Sequence, residues 1–310
     1  MSVQTEHPYT GTDWALTAGV AAMWGSSFLL IGFGVEHFAP ALVAVLRLAF
    51  GAVTLAASPA ARRPVARGDW PVVVLLGLVW MAGPFLLFGV AERSVDTSVA
   101  GMLNGAAPVF TAIVAGIASL RLPRGRRMGG LVVGIAGVAL IGLPSLRAAH
   151  ATAVGVGYVM LATALYGVAF NLAASLQPRY GALPVIWRAQ LAALAVLTPF
   201  GLDGVAGSTF GWSSLVAVAA LGCLGTAAAF VAFTTLAGRV GSTRASVTVY
   251  LLPAVAILLG AAFRDETVHP VSVAGTVLVA AGAYLTSRSE PNSDPSPRKG
   301  ANHDRQPAVR

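Results

Sequence analysis

Ten long apolar stretches govern what this chain can fold into. They fall at about residues 14–35, 38–58, 70–91, 97–120, 126–144, 153–175, 183–201, 211–236, 243–263 and 269–287. A helix rises 1.5 Å per residue, so about 20 mostly apolar residues cross a hydrocarbon layer roughly 30 Å thick. That layer holds no water to satisfy backbone amides, so each stretch must pair its own backbone as a helix. Composition agrees: 56% of the 310 residues are hydrophobic, 10% are charged, and the mean hydropathy is +0.76. Soluble domains carry about 25% charged residues, so this chain cannot cover a water-facing surface. It is also too apolar for a disordered protein. The expected fold class is an all-α integral membrane protein with ten transmembrane helices in the lipid bilayer.

Charge orients the spans. With both termini on one side, the links on that side hold Arg62, Arg63 and Arg67, then Arg121, Arg124, Arg126 and Arg127, then Arg179, Arg239 and Arg244. The C-terminal tail adds Arg288, Arg298, Lys299, Arg305 and Arg310, while the opposite side has only Arg93, Arg147 and Arg264. The positive-inside rule then makes both termini cytoplasmic, in a multi-pass protein of the cell membrane. The net charge of +8 is read as topology; no basic patch interleaved with aromatics points to nucleic acid. The single cysteine, Cys223, excludes an intramolecular disulfide and multi-cysteine metal motifs. No metal or cofactor is expected. The first twelve residues lack Lys and Arg, and the stretch after them has no clean cleavage site, so no cleaved signal peptide is expected.

The chain resembles itself at a nearly fixed offset. A shift of 145 residues lays Phe88 on Phe233, Ala100 on Ala245, Pro108 on Pro253, Gly130 on Gly275, Gly137 on Gly282 and Leu140 on Leu285. The first span needs a shift of 142, which lays Trp24-Gly25 on Tyr166-Gly167 and Phe28 on Phe170. Five spans per unit is an odd number, so the halves are expected to sit in opposite orientations. Inverted repeats are common in secondary transporters, with the substrate site near the midplane where the repeats meet. The expected organisation is a cytoplasmic tail at 1–12, five-helix repeats at 13–145 and 146–287, and a disordered cytoplasmic tail at 288–310.

Trp24-Gly25-Ser26-Ser27-Phe28, followed by Pro40 and Arg47, resembles the opening of EamA-type proteins of the drug/metabolite transporter superfamily. In that family each repeat has a proline in its fourth helix, a leucine-glycine-glutamate-like corner and a glycine-rich fifth helix. Here the second repeat has Pro253, Phe263-Arg264-Asp265-Glu266, Gly275 and Gly282; the first has Pro108, Ser119-Leu120-Arg121, Gly130 and Gly137. Two departures stand out. Arg121 occupies the position of the first repeat's glutamate, and Arg264-Asp265 replace leucine-glycine. The resemblance covers about residues 14–287 and implies export of small metabolites or drugs.

Several side chains are candidates for the substrate site. Arg47 and Arg188 lie inside spans, where an arginine costs roughly 2.5–3.5 kcal/mol on insertion scales. No Asp or Glu lies well inside any span. Either arginine is thus open to two readings: a ligand for an anionic group such as a carboxylate, or a side chain satisfied by backbone carbonyls or an interface. Arg188, four residues after Pro184, is placed nearer the outer surface. Trp24, Trp80, Tyr166, Trp187 and Tyr250 are candidate walls of an aromatic cavity, against the alternative of belts and packing. Asn104 and Asn171 are candidate polar linings. Pro84, Pro108 and Pro253 are candidate hinges or kinks, since proline frees the carbonyl four residues earlier. The glycines of spans five and ten read as close helix packing.

Lys299 is the only lysine, so a Walker-type ATP site is excluded, as is a Ser–Lys dyad. There is no His-Glu-x-x-His string, and no histidine lies well inside a span. The expected function is therefore not enzymatic. It is a secondary transporter exporting a small organic metabolite, amino-acid-like or drug-like, by alternating access. Import or exchange of a small anionic or aromatic solute is the alternative, and a non-transporting membrane scaffold is a third reading.

Overall fold

The computed structural model describes residues 10–118, 125–147, 152–240 and 246–287. Most of the N-terminal tail, the C-terminal tail and Arg121 lie outside these. Among the described residues every regular element is helical.

Helix α1 (Gly11–Val35) starts at Thr10 with a reciprocal cap. The Thr10 hydroxyl oxygen accepts the Asp13 amide, and the Asp13 carboxylate accepts the Thr10 amide at 2.9 Å, which satisfies donors that a helix start leaves open. Helix α2 (Pro40–Ala56) opens on a proline, where a missing amide costs nothing. Helix α3 (Arg67–Ala91) contains a π-type turn at Leu78–Ala82. Pro84 follows directly, and the Gly83 amide reaches back five residues to the Leu78 carbonyl. The wider turn makes room for the proline ring.

The stretch 97–120, expected as one span, divides into α4 (Thr97–Asn104) and α5 (Ala107–Ala118), with Pro108 in the first turn of α5. Helices α6 (Gly125–Arg147), α7 (Ala153–Tyr180) and α8 (Ala182–Val205) follow. Helix α9 comprises Trp212–Ala220, a π-type segment Leu221–Ala228 and Ala229–Val240. A 3-10 segment, Ser246–Leu251, leads into α10 (Leu252–Arg264), and Pro253 stands at the second position of that helix. Both Pro108 and Pro253 thus begin a helix rather than bend one. Helix α11 (Pro270–Ser287) closes the described chain.

Among the described residues, five helical runs are long and apolar enough to cross a membrane: Gly11–Val35, Arg67–Ala91, Ala153–Ala173, Ala182–Val205 and Trp212–Phe233. Val53, Ile117, Val132, Leu202 and Leu258 are all more than half exposed. In water such a coat would be a liability; against acyl chains it is the expected surface.

Helices α6 and α11 meet through glycine, as the sequence expects. A Cβ on Gly137 would lie 2.7 Å from the Gly275 carbonyl oxygen, and one on Gly282 would lie 2.5 Å from the Gly134 amide nitrogen. Rising residue number on α6 meets falling number on α11, so the two run antiparallel. Between lipid-embedded helices association comes from close packing, which bare backbone permits. Two other contacts exclude a side chain in the same way. Gly25 on α1 packs on Val255 of α10, and Gly167 on α7 packs on Phe110 of α5.

Candidate functional site

Helices α1, α2, α3, α4, α7, α9 and the starts of α5 and α10 converge on a cavity. Its walls are aromatic. Trp80 meets Phe230 edge-on with ring centroids 4.7 Å apart, and Phe230 meets Trp24 at 5.7 Å. Trp24 also contacts Phe233 at 5.0 Å, while Tyr166 contacts Phe88 at 5.9 Å. Edge-on and tilted pairs suit the ring quadrupole and hold the walls in defined orientations.

The cavity's permanent charge is Arg47. It is 5% exposed, and α2 directs it inward about two turns beyond Pro40. Its Nε donates to the Thr226 hydroxyl at 2.8 Å, and that hydroxyl donates to the Leu221 carbonyl inside the π-type segment of α9. The guanidinium carbon lies 3.6 Å from the Phe85 ring centroid, a cation–π contact. Among the described residues no carboxylate pairs with Arg47. A guanidinium carries five N–H donors, and among the described residues only Thr226 accepts from it, at Nε. Asn104, 6% exposed, also lines the cavity, and its buried Oδ1 has no hydrogen-bond partner among the described residues. The pocket thus brings together a cation, a buried acceptor and apolar rings around both.

Of the residues singled out in the sequence, the cavity brings together Trp24, Arg47, Trp80, Asn104 and Tyr166. It does not gather Asn171, Trp187 or Arg188. The Asn171 amide nitrogen donates to the carbonyls of Gly167 and Thr111 at 2.8 and 3.1 Å, tying α7 to α5. Trp187 donates from Nε1 to the Ala52 carbonyl at 3.2 Å. Arg188 donates to the carbonyls of Pro184, Ala61 and Arg62 at 3.1, 3.2 and 3.4 Å. Arg188, expected nearer the outer surface, sits at the same end of the bundle as the arginine-rich 59–67 link, the end that the charge pattern alone assigns to the cytoplasm. Helix α8 begins just after Arg179, so its second turn sits beside the arginine-rich 59–67 link. Tyr250 belongs to the 3-10 segment flanked by the lining residues Val249 and Leu252; its side chain lies outside the described residues.

Phe85, Phe230 and Thr226 were not anticipated. The first two were legible, because the 145-residue shift that lays Phe88 on Phe233 also lays Phe85 on Phe230. Thr226 had no such signal; only the approach of α2 to α9 identifies it.

The bundle is tied at both ends. At the arginine-rich end Asp13 pairs with Arg239 at 2.5 Å and Asp69 with Arg179 at 2.9 Å. At the other end Glu36, closing α1, pairs with Arg264, closing α10. Asp265 follows with φ +53°, a left-handed conformation that a short polar side chain tolerates where glycine is the usual choice. Next in the chain, Glu266 accepts the amides of Thr97 and Ser98, both at 2.8 Å, and so caps α4 with a negative charge at its positive end. Among the described residues, no group of three or more His, Cys, Asp or Glu side chains could hold a metal ion.

Comparison with known proteins agrees with this geometry. The model of the EamA-like transporter family matches residues 14–143 and 153–288. The chain is 30% identical over 281 residues to a probable terminal-alkyne amino-acid exporter of Streptantibioticus cattleyicolor, covering 89% of this chain and 93% of that one. It is 28% identical over 291 residues to a probable amino-acid metabolite efflux pump of Salmonella typhimurium, covering 88% and 94%. A crystal structure shares the fold with a TM-score of 0.60 at 18% identity, over 89% of this chain and 96% of that one. The chain therefore belongs to the EamA-like transporter family and is a membrane transporter rather than an enzyme.

Proposed function

We propose that the protein is a secondary transporter that exports a small amino-acid-like metabolite across the cytoplasmic membrane, with the solute carboxylate held by Arg47. The observation that carries this reading is a buried guanidinium in an aromatic cavity, with Thr226 its one hydrogen-bond acceptor among the described residues. A cation kept out of water and without a counter-charge is costly unless something completes it. A carboxylate matches the guanidinium fork with paired hydrogen bonds. Asn104 Oδ1 is suited to receive an ammonium or hydroxyl of the same solute, and the rings accommodate its apolar part. The printed descriptions of the relatives, which name amino-acid and amino-acid-metabolite exporters, favour the same class.

Ten spans in two inverted repeats are part of this reading. In its support, contacts recur in pairs related by the sequence offset. Gly137 against Gly275 corresponds to Gly282 against Gly130, and Gly25 against Val255 corresponds to Gly167 against Phe110. Trp24 with Phe233 corresponds likewise to Tyr166 with Phe88. Equivalent helices α6 and α11 run antiparallel, as a two-fold axis in the membrane plane requires. The positive-inside asymmetry favours cytoplasmic termini. Alternating access would then open the Asp13–Arg239 end and the Glu36–Arg264 end in turn.

The test compares solutes inside and outside cells expressing the wild type, Arg47→Gln or an empty vector. A class of carboxylate-bearing solutes accumulating outside only with the wild type is the expected result. Equal accumulation with Arg47→Gln, or export confined to solutes without a carboxylate, would refute the assignment.

A further inference from the structure

Away from the cavity, at the arginine-poor end, one carboxyl is buried that solute binding does not use. Glu92, just past the end of α3, is 8% exposed. Its Oε2 accepts the Thr97 hydroxyl at 3.3 Å, while Oε1 is buried with no hydrogen-bond partner among the described residues. A second carboxylate, Glu266, faces it, and both Glu266 oxygens are committed to the amides that begin α4. Backbone donors thus hold Glu266 in place beside Glu92. The other charged groups around Glu92 are Asp96, before α4, and Arg264, at the end of α10. Arg93, next in the chain, is exposed, and His37 is turned toward the Ser214 hydroxyl at 2.9 Å. Burial first, and Glu266 second, push the Glu92 carboxyl well above the usual carboxylate range.

Arg264 is the natural counter-charge, yet it is bonded to Glu36. It is nonetheless close. The position a Cβ would take on Gly32 lies 3.5 Å from Glu92 Oε2 and 3.7 Å from the Arg264 guanidinium carbon, so these two are no more than 7.2 Å apart. A rotamer change spans such a gap.

We propose that Glu92 is a proton-carrying site of the transport cycle, and that loss of its proton draws Arg264 from Glu36 to Glu92. The balance is simple. Glu92 releases one proton to water, its carboxylate takes the guanidinium from Glu36, and the Glu36 carboxylate is left to be hydrated by solvent. Glu36 is the half-exposed partner and can be hydrated. Because the Glu36–Arg264 pair ties the end of α1 to the end of α10, deprotonation unfastens that end of the bundle. The place of this site in a cycle rests on the transporter reading above; the site itself can be tested without a solute.

The experiment follows the infrared carbonyl band of protonated carboxylic acids in the full-length protein, held in lipid nanodiscs, as pH rises. The wild type should keep a band above the ordinary glutamate range of about 4.3, and Glu92→Gln should lack it. Glu36→Gln frees Arg264 for Glu92, so the midpoint should fall by about one pH unit or more; Arg264→Gln should raise it. Opposite shifts from two partially exposed residues do not follow from a purely structural carboxyl, and they remain readable should Glu92→Gln fail to fold. An absent band, a band unchanged by Glu92→Gln, or a midpoint indifferent to Glu36→Gln would overturn the proposal. So would a midpoint that moves when potassium chloride is exchanged for sodium chloride, which assigns the site to a metal cation. If the titration behaves as expected while no solute is exported, the transporter reading fails and the proton site stands.

Discussion

Arg47 and Arg188 look alike in sequence and differ in what surrounds them. Each lies inside an apolar stretch a short way past a proline, with no acidic residue near. Arg188 spends its donors on three carbonyls, two of them in the arginine-rich 59–67 link, and is thereby satisfied. Arg47 has one hydroxyl and one aromatic face, and its remaining donors have no protein partner among the described residues. The lesson is that an intramembrane arginine is a candidate ligand only when its donors are counted. Position along the helix does not make that distinction. The neighbouring 59–67 link does, because its irregular backbone offers carbonyls that a helix would use itself.

This difference can be broken or sharpened by substitution, beginning with the largest effect. Arg47→Gln should raise the solute concentration for half-maximal transport by about 10- to 100-fold, the range for losing hydrogen bonds to a charged group worth about 1.5–3 kcal/mol. Concentration-dependent transport in proteoliposomes measures it, and an unchanged value would erase the contrast. Thr226→Val removes the hydroxyl that fixes Nε and should weaken affinity by about tenfold or less. Because it acts through Arg47, it should have no additional effect in the Arg47→Gln background. Arg188→Gln should leave solute affinity unchanged and lower stability by about 1 kcal/mol, seen as a reduced melting temperature in detergent. Weakened affinity with unaltered melting would return Arg188 to the ligand class. Trp187→Phe keeps the ring and deletes the bond to the Ala52 carbonyl. About 0.5–1 kcal/mol of stability and no transport phenotype are expected, read from the same melting and transport assays.

Much of the helical architecture was legible because a bilayer tolerates few alternatives: apolar length reads directly as helix. The glycine contacts of α6 and α11 were legible for a similar reason, since small residues at helical spacing have little other use there. The breaks before Pro108 and Pro253 were only half legible. Proline states where an amide is missing, but whether the chain bends or starts a new helix depends on neighbours. Trp24, Arg47, Trp80, Asn104 and Tyr166 could be nominated because they are polar or bulky in apolar stretches. Thr226 could not, since a threonine in a helix usually bonds its own preceding turn. Glu266 was visible as a family corner, and its work in capping α4 depends on a contact 169 residues away in sequence.

The central claim is that Arg47 recognises a carboxylate. The most direct measurement compares transport of an exported amino acid with that of its carboxamide, in proteoliposomes containing the wild type, Arg47→Gln or Arg188→Gln. The wild type and Arg188→Gln should prefer the acid, and Arg47→Gln should lose the preference. Acid preference surviving in Arg47→Gln, or vanishing in Arg188→Gln, would contradict the account.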